Sequence, residues 1–524
     1  FYFRIFRRLV TVSLSSPMRV ATLKLTQMRN FKSSHRLQGN FGSMLFASIT
    51  LGAISIVSGF ADYPSGAGGR VSMVLIISGS FLALFALLNF KSVKILELNN
   101  PSEVFSFSFY FLLSFIAFKS ILLLASGVVD TIDVAILEST SGITTTAIST
   151  LNPESLPTSV NVLRSLTQWA GGLAALFLVF VATPISSSGD NPSAGYGPKI
   201  FSRKPLKRMQ EISILYSGLT ICVFVALKVA GMGFFDSLVH SLTASSTGGF
   251  STKVSSISSF QSGPIEWVLI CAMFLGGLNL GVIWWIGKRK LHNIKSNNEL
   301  RLYLLMFLGG AVLFWLKGDF LGSFSYQVRD AFFKVASLLS TTGFVNKGWE
   351  FSSGISAIAL LLLATGGMAG SPGSGFGVHR LIALIKYLRR ELTRKYNRQA
   401  IRKIKVSGEV VNERELDKLQ GYTAIFIFII AMGSFLLSLD NESLRIEDSI
   451  AVSLSAFVTA GPPIAEATLA IEYGIIGNFT LSLLMVVGRL SILPAAYMVL
   501  KLSQSIKLNL RGLISSEGTT DEIP

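Results

Sequence analysis

"STTGF", residues 340–344, sets three hydroxyl side chains and a glycine directly after the apolar run of a short segment, where a membrane-embedded helix would be expected to continue. Similar interruptions stand at TTTAIS (144–149), SSTGGF (245–250) and VTAGPP (458–463). Each follows an aspartate: Asp133 leads to Ala147 in fourteen residues, Asp236 to Gly248 in twelve, and Asp330 to Gly343 and Asp448 to Gly461 in thirteen each. A single such motif would be an ordinary glycine-and-serine turn. Four at matching offsets are an internal repeat.

The surroundings say what is being interrupted. The 524 residues are 50% apolar and only 14% charged, too little charged surface for a soluble protein of this length. Apolar runs approaching the roughly 20 residues needed to cross a bilayer predict an all-α membrane protein of about ten transmembrane helices: 43–61, 71–90, 105–128, 162–183, 210–233, 264–288, 299–320, 354–382, 420–440 and 475–500. The repeat then divides the chain. A basic leader (1–42) and a two-span extension (43–104) precede repeat 1 (105–183), repeat 2 (210–288) and repeat 3 (299–382). A basic linker (383–419), repeat 4 (420–505) and a tail (506–524) complete it. Each repeat reads as a span, a re-entrant pore helix, a loop and a second span around one central pore.

Charge distribution fixes the expected orientation. Arg4, Arg7, Arg8, Arg19, Lys24, Arg29, Lys32 and Arg36 precede the first span. Lys199, Arg203, Lys204, Lys207 and Arg208 follow the fourth, Lys288, Arg289 and Lys290 the sixth, and a block from Arg389 to Lys405 the eighth. Basic loops are retained in the cytoplasm, so both termini are expected there. The net charge of +17 is accounted for by these loops and calls for no nucleic acid. The leader has no apolar core long enough for a cleaved signal.

The chemistry expected of the motifs follows from their residue types. The four aspartates are expected to cap the pore helices, whose C-terminal dipole ends, meeting at the motifs, favour a cation. Irregular backbone at membrane depth is tolerated where protein buries it or it lines a water-filled cavity. Around one axis, carbonyl and hydroxyl oxygens can replace an ion's hydration shell, and glycine allows the dihedrals that aim them. The expected ion filter comprises Thr144, Thr145, Thr146 and Ala147; Ser246, Thr247 and Gly248; Thr341, Thr342 and Gly343; and Thr459, Ala460 and Gly461.

Other constellations are poor. Cys222 and Cys271 fall inside spans and are expected to be small core residues, with neither a disulfide framework nor a metal cluster. His35, His240, His292 and His379 lack ligand spacing and are expected at loops or helix ends. No cluster of acids, nucleophile and base suggests an enzyme, and no helix carries arginine at every third position as a voltage sensor would. The alternative to a channel-like protein is a cation-coupled secondary transporter, which would carry intramembrane acids; no span centre has an Asp or Glu.

With the four motifs, the WAGG at 169–172, the glycine-rich GGMAGSPGSGFG at 366–377 and VVGRL at 486–490, the chain resembles the Trk/Ktr/HKT superfamily of cation transporters over residues 43–505, in particular its bacterial TrkH-like branch. The two leading spans also match that branch. The resemblance implies a homodimer in the bacterial plasma (inner) membrane with one pore per subunit, passing potassium and in some members sodium down the electrochemical gradient. It also implies gating by a separate TrkA/KtrA-like cytoplasmic nucleotide-binding regulator, so that nucleotide is expected on the partner and no cofactor in this chain. GSGFG lacks the preceding strand of a phosphate-binding loop.

In the family, the glycine-rich break forms an intramembrane gate below the filter. Its counterparts here are Gly366, Gly367, Gly370, Ser371, Gly373, Gly375 and Gly377, together with Arg489, which matches the family arginine in the last span. Pro372 and the glycines would stop a helix there. Lys119, deep in a span, has no family role and is expected to pack or snorkel. Potassium-selective members carry glycine in all four filter positions, whereas this sequence has Ala147 in the first. Its methyl group resists left-handed dihedrals by roughly 1–2 kcal/mol, so an incomplete first carbonyl ring and weakened potassium-over-sodium selectivity are expected. Val458 and Ala460 also remove hydroxyls from the fourth motif, and Pro462 follows its glycine.

Overall fold

In the computed structural model the described residues are 41–62, 69–89, 101–182, 205–290, 292, 294, 297–317, 323–349, 351, 353–396, 404–406, 409–411, 413–461, 473–490, 495 and 498. The expected leader (apart from its last two residues), the tail from 506, Lys199, Arg203, Lys204 and Pro462 lie outside them.

Sixteen helices are described. The leading pair is α1 (Phe41–Asp62) and α2 (Gly69–Asn89). Then come α3 (Pro101–Ser126), α4 (Ile132–Ile143), α5 (Thr158–Phe177), α6 (Pro205–Val229), α7 (Phe234–Ser245), α8 (Gly263–Gly276) and α9 (Leu280–Gly287). The series continues with α10 (Asn298–Lys317), α11 (Phe324–Leu339), α12 (Ser353–Thr365) and α13 (Val378–Tyr396). It ends with α14 (Glu413–Asp440), α15 (Ile446–Phe457) and α16 (Ile475–Leu490). Strands β1 (Lys405–Val406) and β2 (Glu409–Val410) form a short antiparallel hairpin before α14.

Helix α2 shows why this is a membrane fold. Ile77, Phe81, Leu84 and Leu88 are all more than half exposed on it. An apolar surface of that kind suits lipid as its solvent.

Each of the ten expected spans holds a helix, but only seven are single helices long and apolar enough to cross. The sixth is broken between α8 and α9 with a bend of 109°. The eighth stops at Thr365 and resumes only at Val378, and α16 is a shorter apolar helix. The continuous sixth span expected from hydropathy is therefore corrected: GGLN at 276–279 breaks it, with the Asn279 side chain capping α9 by accepting from the amide of Gly281 at 2.7 Å.

The packing recurs with a period of one unit. Helices α3, α6, α10 and α14 each lie against the short helix that follows, α4, α7, α11 and α15. The closing spans reach forward: α5 packs on α7, α8 on α11, α12 on α15 and α16 back on α4. These contacts close a ring of four, and α2 attaches to its outside through α3. Glycines permit the close approach within a unit: a β-carbon on Gly171 would overlap the carbonyl of Ile143 at the end of α4, and one on Gly488 that of Phe457 at the end of α15.

Two small expectations fail here. Cys222 and Cys271 are exposed on the helix surface instead of sitting in the core, because their faces of α6 and α8 turn away from the ring. His240 is neither in a loop nor at a helix end. It is fully buried within α7, bonded through Nδ1 to the Asp236 carbonyl at 2.8 Å and through Nε2 to Ser251 Oγ at 3.0 Å.

Candidate functional site: a ring of four strained loops

All four short helices end in the same backbone turn. In α4 the Thr145 amide donates to the Gly142 carbonyl (3.2 Å) and the Thr146 amide to Ser141 (3.0 Å). The same pair of bonds recurs as Thr247 to Ala244 and Gly248 to Thr243, Thr341 to Leu338 and Thr342 to Ser337, and Thr459 to Ala456 and Ala460 to Ser455. This is the Schellman termination, whose pivotal residue is left-handed and commonly glycine. Here threonine occupies the pivot every time: φ is 59° at Thr145, 52° at Thr247, 59° at Thr341 and 51° at Thr459. A β-branched residue in this region is strained, and four persist only because their surroundings over-determine them.

A second left-handed residue follows two places on: Ala147 (62°), Gly249 (82°), Gly343 (78°) and Gly461 (79°). This corrects the alignment of the second motif. Gly249, not Gly248, is the counterpart of Gly343, and Gly248 corresponds to Thr146, Thr342 and Ala460. The offset from Asp236 then becomes thirteen, as for Asp330 and Asp448. Ala147 also adopts the glycine-like conformation, so the first turn is formed, with the strain expected of its methyl group.

The loops touch one another in cyclic order. A β-carbon on Gly249 would overlap the carbonyl oxygen of Thr342, and one on Gly343 that of Ala460. One on Gly461 would come within 2.6 Å of the carbonyl oxygen of Thr146. The Ala147 β-carbon lies 3.3 Å from the β-position of Gly249 and 3.5 Å from that of Gly461, joining the first loop to its two neighbours. Thr146, Ala147, Gly249, Thr342, Gly343, Ala460 and Gly461 thus meet, and Thr144, Thr145, Ser246, Thr247, Gly248, Thr341 and Thr459 stand in the turns that lead into them. The hydroxyls of Thr145 and Thr459 are buried there without a hydrogen-bond partner.

Buried polar side chains hold the ring from behind. Gln168 on α5 donates to the Gly248 carbonyl at 2.8 Å and accepts from the Phe250 amide at 3.2 Å. Ser337 donates to the carbonyl of Phe344 at 2.7 Å, and Ser455 to that of Gly461. Arg164, one turn before Gln168, lies 3.4 Å from Glu138, donates to Ser149 at 2.8 Å and sits 4.1 Å above the Phe250 ring. Lys119 does not snorkel. It is fully buried, its ammonium 3.1 Å from Thr167 Oγ1 and 3.4 Å from the Glu138 carbonyl. A buried ion of this kind is tolerable only when paired and hydrogen-bonded. Hydropathy could not find this cluster, because its members come from three separate helices.

None of the expected aspartate caps is a cap. The capping positions are Thr131, Gly233, Ser323 and Arg445. Asp133, Asp236 and Asp448 lie within the first helical turn, where the dipole still favours them; Asp330 is further along α11, because that helix begins earlier, at Phe324. Their carboxylates act as tethers. Asp236 accepts from Thr252 at 2.6 Å and Asp330 from Asn346 at 2.8 Å, both sixteen residues on and just beyond the loop. Asp330 also pairs with Lys334 at 2.8 Å, Asp448 with Arg445 at 3.3 Å, and Asp133 accepts from Asn478 on α16 at 2.7 Å.

The glycine-rich stretch runs against the third loop of the ring. Gly366, Gly370, Gly375 and Gly377 have positive φ, at 68°, 82°, 106° and 91°. The amide of Ser374 donates to Thr341 Oγ1 at 3.2 Å, and a β-carbon on Gly373 would lie 2.8 Å from the Ser340 carbonyl. Gly367 packs against Gly277 and Ser371, whose hydroxyl donates to the Met368 carbonyl at 2.8 Å. Arg489 is brought to the same place from α16, donating to Pro372 O at 2.8 Å and to Gly171 O at 2.9 Å.

Residues 108–510 match the family model described as TrkH, cation transport protein. The Trk system potassium uptake protein TrkH of Escherichia coli K12 is 31% identical over 323 residues, 58% of this chain and 65% of that protein, so the match spans just under two thirds of the relative's length. The TrkH of Halomonas elongata is 29% identical over 387 residues, 68% of this chain and 76% of its own. The crystal structure of the potassium transporter TrkH from Vibrio parahaemolyticus has a TM-score of 0.76 to this chain at 21% identity, covering 87% of this chain and 98% of that one. At that identity the likeness is one of fold.

Proposed function

Because the chain belongs to the TrkH family of cation transport proteins, we propose that it passes monovalent cations, potassium and secondarily sodium, through the ring of four loops. The observation that carries this is the left-handed threonine at all four pivots. Strain repeated four times around one ring serves a purpose at that ring. Turning the chain at these points directs carbonyl and hydroxyl oxygens toward a shared centre, where they replace an ion's water shell. The unpartnered Thr145 and Thr459 hydroxyls are buried oxygens in need of a donor or a cation. The converging C-terminal helix ends add negative potential.

Residues 366–377 serve as the gate, and Arg489 beside them raises the barrier to a cation in the closed state. The basic loops support an orientation with both termini on the cytoplasmic side of a bacterial inner membrane. They offer a docking surface to a TrkA/KtrA-like nucleotide-binding regulator, with the chain acting as a homodimer. Cofactor chemistry then resides on the regulator. A coupled secondary transporter is less well supported, since Glu138 is committed to Arg164 and Ser149.

The test is rubidium uptake into potassium-loaded vesicles containing the purified chain, with and without regulator, alongside complementation of a bacterium lacking potassium uptake. Uptake that follows the imposed potential supports the proposal; a stoichiometric dependence on a proton gradient sinks it.

A further inference from the structure

Met368, Ala369 and Gly370 lie near the start of the glycine-rich loop, and segments distant in sequence hold them. The Gly277 carbonyl accepts from the Met368 amide at 2.9 Å, and the Gly370 carbonyl accepts from the Leu280 amide at 3.0 Å. Between them the Asn279 side chain donates to the Ala369 carbonyl. The two interrupted spans of the neighbouring units are therefore interlocked through backbone at their breaks.

The Ala369 amide is taken by a side chain: Glu299 Oε1 accepts from it at 2.8 Å. Glu299 is only 6% exposed and stands in the first turn of α10, its own amide fixed by Asn297 Oδ1 at 2.9 Å. The same carboxylate reaches His379, in the first turn of α13 at the far end of the loop: it accepts from that residue's backbone amide, and its Oε1 lies 3.8 Å from the imidazole Nδ1. One side chain on a third helix thus joins both ends of the loop. A carboxylate suits the place because its two oxygens can accept from amides at both ends of the loop, beside the N-terminal turns of two helices.

We propose that Glu299 is the positioning residue of the gate, a two-ended clamp that holds residues 366–377 against the ring until movement of α13 releases it. This rests on the reading of that loop as the gate. Glu299 touches no cation; it acts through the Ala369 and His379 amides. Losing a buried hydrogen bond shifts an equilibrium on the order of tenfold, so the released conformation should become about tenfold more populated when the clamp is removed.

The experiment uses the full chain in potassium-loaded vesicles without regulator. A thiol probe is placed by Ser371→Cys in a Cys222→Ala/Cys271→Ala background, and modification by a small cationic methanethiosulfonate is timed beside rubidium uptake. Glu299→Gln keeps the size and one acceptor oxygen but presents an amino group to a second amide; Glu299→Ala removes both acceptors. The expected result is thiol modification about tenfold faster in both variants, with higher regulator-free uptake. An unchanged or slower modification rate in Glu299→Gln overturns the clamp. Faster modification with unchanged uptake keeps the clamp and sinks the loop as the gate. If the parent itself carries no rubidium, the transport reading fails, and the modification rate still decides whether Glu299 positions the loop.

Discussion

The guanidinium of Arg489 donates to the carbonyl of Pro372 across 117 residues of sequence, at 2.8 Å, and with its other amino group to Gly171 at 2.9 Å. A fixed positive charge is thereby locked between the glycine-rich loop and the closing span of the first unit. Replacing it by glutamine removes the charge, and its shorter side chain cannot reach both carbonyls. Arg489→Gln should raise regulator-free rubidium uptake several-fold, the direction expected when a like charge is taken from a cation's path; uptake equal to or below the parent's would remove Arg489 from the barrier.

Ala147 holds a left-handed conformation, φ 62°, that glycine holds in the other three loops. Ala147→Gly should stabilise the protein by about 1 kcal/mol through relief of that strain, read as a higher melting temperature in detergent. The relaxed loop should also discriminate better. With potassium and sodium on opposite sides of the membrane, the reversal potential should move toward potassium selectivity, and identical potentials would dismiss the link.

The revised register of the second loop is directly testable. Gly249→Ala forces a methyl group into the Thr342 carbonyl at a positive φ of 82° and should abolish uptake. Gly248→Ala meets the end of the Gln168 side chain, which can shift, at a place where the other loops carry Thr146, Thr342 and Ala460. It should retain measurable uptake. The reverse ranking would restore the alignment through Gly248.

Behind the first loop, the buried ions differ in what their removal leaves. Arg164→Met strands Glu138 with Lys119 contacting only its backbone carbonyl, and should cost about 3–5 kcal/mol, the range for breaking a buried pair. Lys119→Met leaves the Arg164–Glu138 pair intact and relieves a desolvated ammonium, so its melting temperature should stay close to the parent's. Equal losses in the two variants would mean that the three charges act as one inseparable unit.

Outside the membrane, Arg390 on α13 grips Glu413 at the start of α14 with two bonds, 2.6 and 3.0 Å. The hydrogen bonds from Arg390 hold the Glu413 carboxyl below its ordinary value. A depressed folded-state value gives stability that is present above the ordinary glutamate range and is lost as pH falls through the folded-state value. Glu413 is 66% exposed, so solvent screening keeps the effect under about 1 kcal/mol. Glu413→Gln should therefore melt slightly below the parent at pH 7, and the gap should close as the solution is acidified below the carboxylate range. A gap independent of pH would assign the difference to packing.

Much of this architecture was legible because a bilayer is an unforgiving solvent. Every spanning segment must be apolar and must satisfy its own backbone, so composition alone marked the ten apolar stretches, and the four hydroxyl-rich interruptions stood out against them. Glycine density and Pro372 announced the break at 366–377, since neither residue type continues a helix readily. What required three dimensions was each feature decided by a partner distant in sequence. Whether Gly248 or Gly249 turns left-handed depends on which amide reaches back to the end of α7, and side-chain type does not encode that. The Gly276–Asn279 stretch is compatible with a continuous helix until Met368 and Gly370 supply bonds for its opened backbone. Lys119 could be placed in apolar surroundings from sequence, whereas Glu299, beside Asn297, Asn298 and Arg301, reads only as the polar edge of a span. Their tolerance there, and so their purpose, was settled only by the amides, hydroxyls and opposite charges that folding brought within hydrogen-bonding distance.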